Sequence, residues 1–410
     1  MVGLHKFILL VNLIGWAVAQ TSVTVNTGST LQKIDGFGFS QAFGRATEFK
    51  NANSAAQKKG LDLLFSTSTG AGFSIIRNRI GSGGSGDSIL PTSPGSPSGT
   101  PKYTWDSNDS GQLWFTKQAI NYGVKTIYAD AWSAPGFMKT SGSESTAGPS
   151  YSQMQISTNA QEAISFIPTL SDTVKKAGLD TNITCCDAMG WSQQTQYGAA
   201  MKSAGMENYL DVITSHTYSS EATSAIDTKL PTWVTESGTG SASAFITTWY
   251  SSGAAGEGFT WATKIAKGIV DANLSAYLYW EGFEVGQTQS GSHLVDSTGS
   301  EATPSGIFWA FAMWSRFIRP GAYRLQTTGS PSVVITGAFK NMDGSVIAVF
   351  TNTGSSAQSA KVAFNGFTPK TANAYLMDNS HQVASTSAQL SGSAVTVSIP
   401  SKGVVTVKLA

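Results

Sequence analysis

Charge is scarce in this chain: Asp, Glu, Lys and Arg make up 12% of its 410 residues, about half the usual share, and the net charge is +1. That excludes a basic surface steering it toward nucleic acid or an anionic membrane. Cysteine is nearly absent. The two that occur, Cys185 and Cys186, are adjacent, which excludes a disulfide framework and a tetrahedral zinc site with four spaced ligands. A bond between neighbours would be strained, so buried thiols at a strand end are expected. Beyond the first twenty residues no apolar run is long enough to cross a bilayer.

Those first residues form a distinct segment. His5 and Lys6 precede the apolar run Phe7 to Val18, and Ala17-Val-Ala19 offers a small-residue cleavage site. This pattern is a secretory signal over 1–19, so a secreted, extracellular chain is expected. Asn108-Asp-Ser, Asn182-Ile-Thr and Asn273-Leu-Ser match the glycosylation acceptor pattern of exported proteins. Eleven Trp, twelve Tyr and twenty Phe suit a carbohydrate-handling surface, because aromatic faces stack on sugar rings; filling a core is the alternative use.

The remaining length exceeds one compact core. From 34 to 319, short apolar runs alternate with helical patterns, which predicts a parallel β/α barrel. The predicted strands are Ile34–Ser40, Gly72–Ile80, Val124–Ala131, Thr181–Asp187, Val212–Tyr218, Thr232–Glu236 and Ala276–Glu281. Helices are predicted near Ser54–Phe65, Ser110–Tyr122, Asn159–Ala177, Gln194–Lys202, Gly256–Ala272 and Pro304–Phe317. From 320 to 410, alternating runs such as Ser345-Val-Ile-Ala-Val-Phe350 and Val395-Thr-Val-Ser-Ile399 predict an antiparallel β-sandwich. The early run Ser22-Val-Thr-Val-Asn26, within 20–33, has the same texture and is expected to join it as an edge strand.

A closed barrel of this kind needs eight strands, and only seven are legible. Between Trp132 and Thr181 lie a polar loop and one helix, too little for the additional β/α unit. One unit is therefore expected to be absent between the third and fourth legible strands. Two sheet edges would then stay unpaired, or the flanking strands would meet directly.

Glu236 closes the apolar run Leu230-Pro-Thr-Trp-Val-Thr-Glu236, at the carboxyl end of a predicted barrel strand. Catalytic groups of such barrels sit on that rim. A carboxylate there points to glycosidic chemistry, which needs two carboxyl groups facing one bond. A surface or helix-capping Glu is the alternative.

Several segments in order strengthen the sugar reading: Asp35-Gly-Phe-Gly-Phe-Ser-Gln-Ala-Phe-Gly44, Ser74-Ile-Ile-Arg-Asn-Arg-Ile-Gly-Ser82, Trp132-Ser-Ala-Pro-Gly-Phe-Met-Lys-Thr140, Cys185-Cys-Asp-Ala-Met-Gly-Trp191, Ser215-His-Thr-Tyr218 and Trp233-Val-Thr-Glu-Ser237. Together they resemble glycoside hydrolase family 30, in particular its fungal xylan-acting branch. The resemblance implies a (β/α)8 barrel with a β-sandwich side domain and a retaining mechanism on xylan or glucuronoxylan. It implies no metal or organic cofactor, a polysaccharide as the partner, and neither nucleic acid nor membrane; a monomer is expected. Glu236 matches the family nucleophile. Arg77 matches an arginine beside it, placed to favour its charged form and fix its rotamer. His216 and Tyr218 match positions that hydrogen-bond the nucleophile or a sugar hydroxyl. Trp132 and Trp280 match aromatic positions lining the glycone pocket, with core packing as the alternative. Arg45 matches a position that contacts the carboxylate of a glucuronosyl branch; a solvated Arg beside Glu48 is the competing reading.

The chain departs from the family at one point. Family members carry the acid/base Glu in an Asn-Glu-Pro segment, and this sequence contains none. Gly148-Pro-Ser-Tyr-Ser-Gln-Met154 resembles the stretch just downstream, so the loss falls immediately before it. Glu144 is nearby in sequence but no strand positions it. Impaired cleavage of unactivated glycosides is expected, since general acid catalysis contributes about 10²–10⁴-fold. A non-catalytic carbohydrate-binding protein is the competing class. Glucosylceramidase or β-1,6-glycanase specificity is the alternative within the family.

Overall fold

The computed structural model describes residues 20–81, 87–144 and 156–410. The leader expected at 1–19 and the Gly148–Met154 stretch lie outside the described residues. Strand β1 (Gln20–Lys33) comes first. Seven parallel strands follow: β2 (Gly36–Ser40), β3 (Ile75–Arg79), β4 (Thr126–Asp130), β5 (Thr184–Ala188), β6 (Val212–His216), β7 (Thr232–Glu236) and β8 (Ala276–Val285). The helices are α1 (Arg45–Asn51), α2 (Ser54–Phe65), α3 (Gln112–Asn121), α4 (Gln161–Lys176), α5 (Trp191–Ser203), α6 (Gly258–Val270) and α7 (Gly306–Ser315).

Side chains of the parallel strands alternate between two cores, as the period of two requires. Ile75, Tyr128, Val212, Trp233, Ala276 and Leu278 pack together inside the barrel. Ile76, Ile213, Val234 and Tyr277 face outward onto helices, meeting Leu64, Phe115, Ile265 and Phe311. Buried on both faces, these strands read as near-continuous apolar runs. A hairpin not predicted from the sequence extends the barrel wall: β9 (His293–Thr298) lies parallel to β8, and β10 (Glu301–Pro304) folds back on it.

The parallel strands run in the order β4-β3-β2-β8-β7-β6-β5, so β4 and β5 end the series. Among the described residues no backbone ladder joins them. The opening falls where the sequence lacks a β/α unit. Side chains bridge it instead: the Tyr128 hydroxyl donates to Asp187 Oδ2 at 2.6 Å and lies 3.5 Å from Thr184 Oγ1.

The carboxyl-terminal strands are β11 (Tyr323–Thr328), β12 (Val334–Lys340), β13 (Val346–Asn352), β14 (Gln358–Asn365), β15 (Ala372–Met377), β16 (Ala384–Thr386), β17 (Ala388–Ser391), β18 (Ala394–Ile399) and β19 (Val404–Leu409). With β1 they make a ten-stranded mixed sheet folded around its own core of Val25, Leu325, Phe350, Val362, Val397 and Val407. Contrary to expectation, β1 is an inner strand. It pairs antiparallel with β11 and parallel with β14, so both of its edges are occupied, and its Val23 and Val25 side chains enter the sandwich core. The sandwich docks on the barrel through Thr406 Oγ1, which donates to the Met313 carbonyl at 2.7 Å, and Trp249 Nε1, which donates to that of Lys402 at 2.8 Å.

Cys185 and Cys186 also differ from expectation. They form a disulfide with each other rather than two buried thiols. Their Cα atoms are 3.0 Å apart, which brings the sulfurs within bonding reach without a distant partner.

Candidate active site

At the carboxyl rim of the barrel, three strands each carry a residue that the neighbouring strand's register skips. Cys186 pairs with Thr214 and Ala188 with Ser215, leaving Asp187 as the extra residue. Thr235 is skipped between β6 and β7, and Trp280 between β2 and β8. Such bulges bend the strand and re-aim its side chains. Asp187 takes the left-handed conformation, with φ 55°. These local turns of the backbone gather side chains from β3 to β8 over one point.

That point is the Arg77 guanidinium, fully buried in the middle of β3. Its Nη1 donates to Glu236, and its Nη2 to Asp130 Oδ2 at 2.5 Å. Asp187 Oδ2 lies 3.8 Å from the same Nη2. His216 Nε2 is 3.6 Å from Glu236 and 4.0 Å from Asp187. One cation thus faces three carboxylates in a largely buried site, where unpaired charge is costly. The carboxyl groups of the two aspartates are driven in opposite directions. Burial, then Asp187 and Glu236 acting against Arg77, pushes Asp130 up to about 7. Burial works against ionisation of Asp187 too, but His216, Arg77 and hydrogen bonds from Thr235 and Tyr128 hold it below its usual value. Burial lowers the His216 imidazole despite the two acids beside it. Burial and then Glu236 push the Tyr218 hydroxyl well above the ordinary phenol range.

Above this cluster stands an aromatic wall. Trp132 lies over Arg77, with the guanidinium 4.2 Å from its ring. Trp132, Trp280 and Phe43 contact one another at centroid separations of 5.2 to 6.0 Å. Phe43 is 37% exposed and Trp132 and Trp280 are half-buried, so the wall has an open face. The structure brings Glu236, Arg77, His216, Tyr218, Trp132 and Trp280 to one rim. Arg45 stands apart from the carboxylate cluster. Its Nη1 donates to Glu48 at 2.7 Å and its Nε to Glu281 at 3.1 Å, and Nη2 is 3.3 Å from Glu284.

The chain is similar to the catalytic domain of GH30 xylanase C from Talaromyces cellulolyticus, at 43% identity over 95% of this chain and 100% of that one, with a TM-score of 0.89. The chain belongs to glycoside hydrolase family 30. Residues 321–407 match the glycosyl hydrolase family 30 β-sandwich domain. Two more distant structures share the family 30 fold: a GH30 endoxylanase from Clostridium papyrosolvens C71 (20% identity, 95% and 100% of the two chains, TM-score 0.63) and an endo-β1,6-glucanase (18%, 96% and 94%, TM-score 0.70).

Against this family 30 frame, sequence reasoning missed four members of the site: Asp130, Asp187, Tyr128 and Phe43. Asp130 is the last residue of β4, as Glu236 is of β7. The same strand-end signal is present there, one residue before the predicted end at Ala131. Asp187 closes the predicted strand Thr181–Asp187 and so carries that signal too; the bulge that turns it toward Arg77 is what sequence alternation does not reveal.

Proposed function

We propose that this family 30 protein is an exported, retaining glycoside hydrolase acting on xylan, with Glu236 as its nucleophile. One observation carries the reading: Glu236 ends β7 almost fully buried, its carboxylate gripped by Arg77 and backed by His216. Held in one rotamer, the carboxylate can attack an anomeric carbon without reorganising. Trp132, Trp280 and Phe43 offer faces on which a pyranose ring stacks while its hydroxyls stay free for hydrogen bonds. The similarity at 43% identity to a xylanase supports xylan as the polymer. Export rests on the leader pattern at 1–19, and Asn182 and Asn273 are exposed acceptors for glycans.

The test is labelling with a mechanism-based 2-fluoro-xylobioside followed by peptide mass spectrometry. Label on Glu236, and its loss in Glu236→Gln, is the expected result; label on any other residue overturns the assignment. A second reading, a xylan-binding protein without turnover, is favoured by the missing Asn-Glu-Pro and the opening beside β4. Retention on insoluble xylan with no label and no released sugar selects it.

A further inference from the structure

The barrel has lost the segment that carries the family's acid/base residue, yet a second carboxyl group faces Glu236 from the rim. We propose that Asp130 serves this chain as the proton donor and acceptor in glycoside cleavage, opposite Glu236 across the Arg77 guanidinium they share. The inference rests on the reading of Glu236 as nucleophile and adds its missing partner.

Position is the first argument. Asp130 is the last residue of β4, the strand that borders the opening. With no strand between them among the described residues, β4 and β5 approach closely enough for Tyr128 to reach Asp187. The acid's ordinary place on the rim is therefore adjoined by Asp130 and Asp187 alone among the strand-end carboxylates described on β4 and β5.

Availability separates those two. Both Asp187 oxygens are occupied, Oδ1 by the Thr235 hydroxyl at 2.5 Å and Oδ2 by Tyr128 at 2.6 Å. Asp130 is held through Oδ2 by Arg77, and its side chain is 16% exposed. Its Oδ1 is left to meet a substrate. Two carboxylates on neighbouring nitrogens of one guanidinium lie toward the ~5–5.5 Å separation of a retaining pair rather than the ~6.5–9.5 Å of an inverting one. Glu144, by contrast, sits in an irregular loop after the barrel strand.

The surroundings suit the task. Arg77 and, farther off, Arg79 face Asp130 from β3, Tyr128 from its own strand, Asp187 from β5 with His216 behind it on β6, and Glu236 from β7. Burial and the two other acids raise its carboxyl to about 7, so it holds a proton at mildly acidic pH. In the first step Glu236 bonds to the anomeric carbon as the bond to the leaving sugar breaks, and Asp130 gives its proton to the departing oxygen. In the second, Asp130 takes a proton from water as the water oxygen bonds to that carbon and Glu236 departs with its electron pair. One glycoside and one water become two sugars, with both carboxyl groups restored.

The experiment compares the parent chain, Asp130→Asn and Glu144→Gln on phenyl and 2,4-dinitrophenyl β-xylobiosides, with and without azide. Asp130→Asn is expected to lose about 10²–10³-fold on the phenyl substrate and far less in the first step on the dinitrophenyl one. Azide should accelerate this variant and yield the β-xylobiosyl azide. The parent's fall in kcat/KM as pH rises through about 7 should vanish in it, while Glu144→Gln keeps the parent's behaviour. Fluorosugar labelling of Glu236 in Asp130→Asn establishes that the variant is folded and its nucleophile intact. With that label present, an unchanged leaving-group dependence and no azide product overturn the proposal. So does a parent that labels at Glu236 yet releases no phenol, or azide rescue that follows Glu144→Gln instead. Failure to label Glu236 in the parent refutes the nucleophile assignment itself, a separate outcome.

Discussion

Tyr128 donates its hydroxyl to Asp187 at 2.6 Å, across the opening where β4 and β5 share no ladder. The contact does two things. It fastens the two free ends of the parallel sheet, and it occupies an oxygen of an acid that would otherwise compete for Arg77. A hydrogen bond to a buried charged group contributes about 1.5–3 kcal/mol. Tyr128→Phe keeps the ring against Trp233 and removes this bond together with the long 3.5 Å contact from Thr184 Oγ1. Urea unfolding should show that loss of stability, with proteolysis quickening in the 131–183 connection. A variant as stable as its parent would mean that the opening is braced elsewhere.

Arg77 is the only cation in contact with Glu236, Asp130 and Asp187 among the described ion pairs. Arg77→Ala leaves three acids facing one another in a buried site. Breaking a buried pair in this way costs about 3–5 kcal/mol at neutral pH. The sign of the pH dependence follows. Asp130 already titrates above its unfolded value, and without the guanidinium, which holds it down, it titrates higher still in the folded chain, while Asp187 loses one of the groups that keep it low. The neutral form of Asp130 then contributes stability at low pH, and it is lost as pH rises through the folded value. Thermal melts of Arg77→Ala should approach the parent's near pH 4 and fall away above pH 6; a deficit constant with pH contradicts this.

The barrel strands were legible because parallel strands buried on both faces are written as apolar runs, and β2 to β8 follow those runs closely. What the sequence concealed has local causes. Helix α1 is short and starts after Gly44, whose left-handed φ of 86° replaces any capping side chain. The β9–β10 hairpin carries His293, Asp296 and Ser297 inward, polar residues buried by mutual contacts rather than by an apolar pattern. Glu236 is readable as a strand-end charge and Arg77 as a charge inside an apolar strand. Asp187 and Trp280 stand where they do through bulges, and a skipped register leaves no trace in a pattern of alternating residues. The lost β/α unit was legible as a shortfall in length, but the bond by which Tyr128 spans it was not.

Ile127 sits on β4, the strand that closes one end of the series, and is 43% exposed. An exposed apolar residue on an unpaired edge is a template for association between chains. The parent is therefore expected to express poorly and to aggregate on concentration. Ile127→Lys places a charge on that edge and should raise the soluble, monodisperse fraction, while the melting free energy stays within about 0.5 kcal/mol. Light scattering against concentration decides it: a parent already monodisperse, with no gain from the lysine, removes the edge as the cause.

Arg45 offers the last test, because its surroundings conflict with the role that family resemblance suggests. A receptor for a glucuronosyl carboxylate needs free donors, whereas this guanidinium faces Glu48, Glu281 and Glu284. Glu281 and Glu284 are 2% and 3% exposed and lie against each other. Burial and then its neighbour push the Glu281 carboxyl well above the usual range. For Glu284, burial is outweighed by His293, whose Nδ1 lies 3.4 Å away, and by Glu281, which with Arg45 hold it at about 2. Arg45 thus supplies counter-charge to an ionised buried acid. Arg45→Ala should cost about 1–3 kcal/mol of stability, reduced from a fully buried pair because the arginine is partly exposed. Turnover on linear and on glucuronosyl-branched xylan should fall by the same factor. A loss of about tenfold on the branched polymer alone, equivalent to about 1.4 kcal/mol of binding, would show Arg45 leaving its carboxylates for the branch, and the counter-charge account would fail.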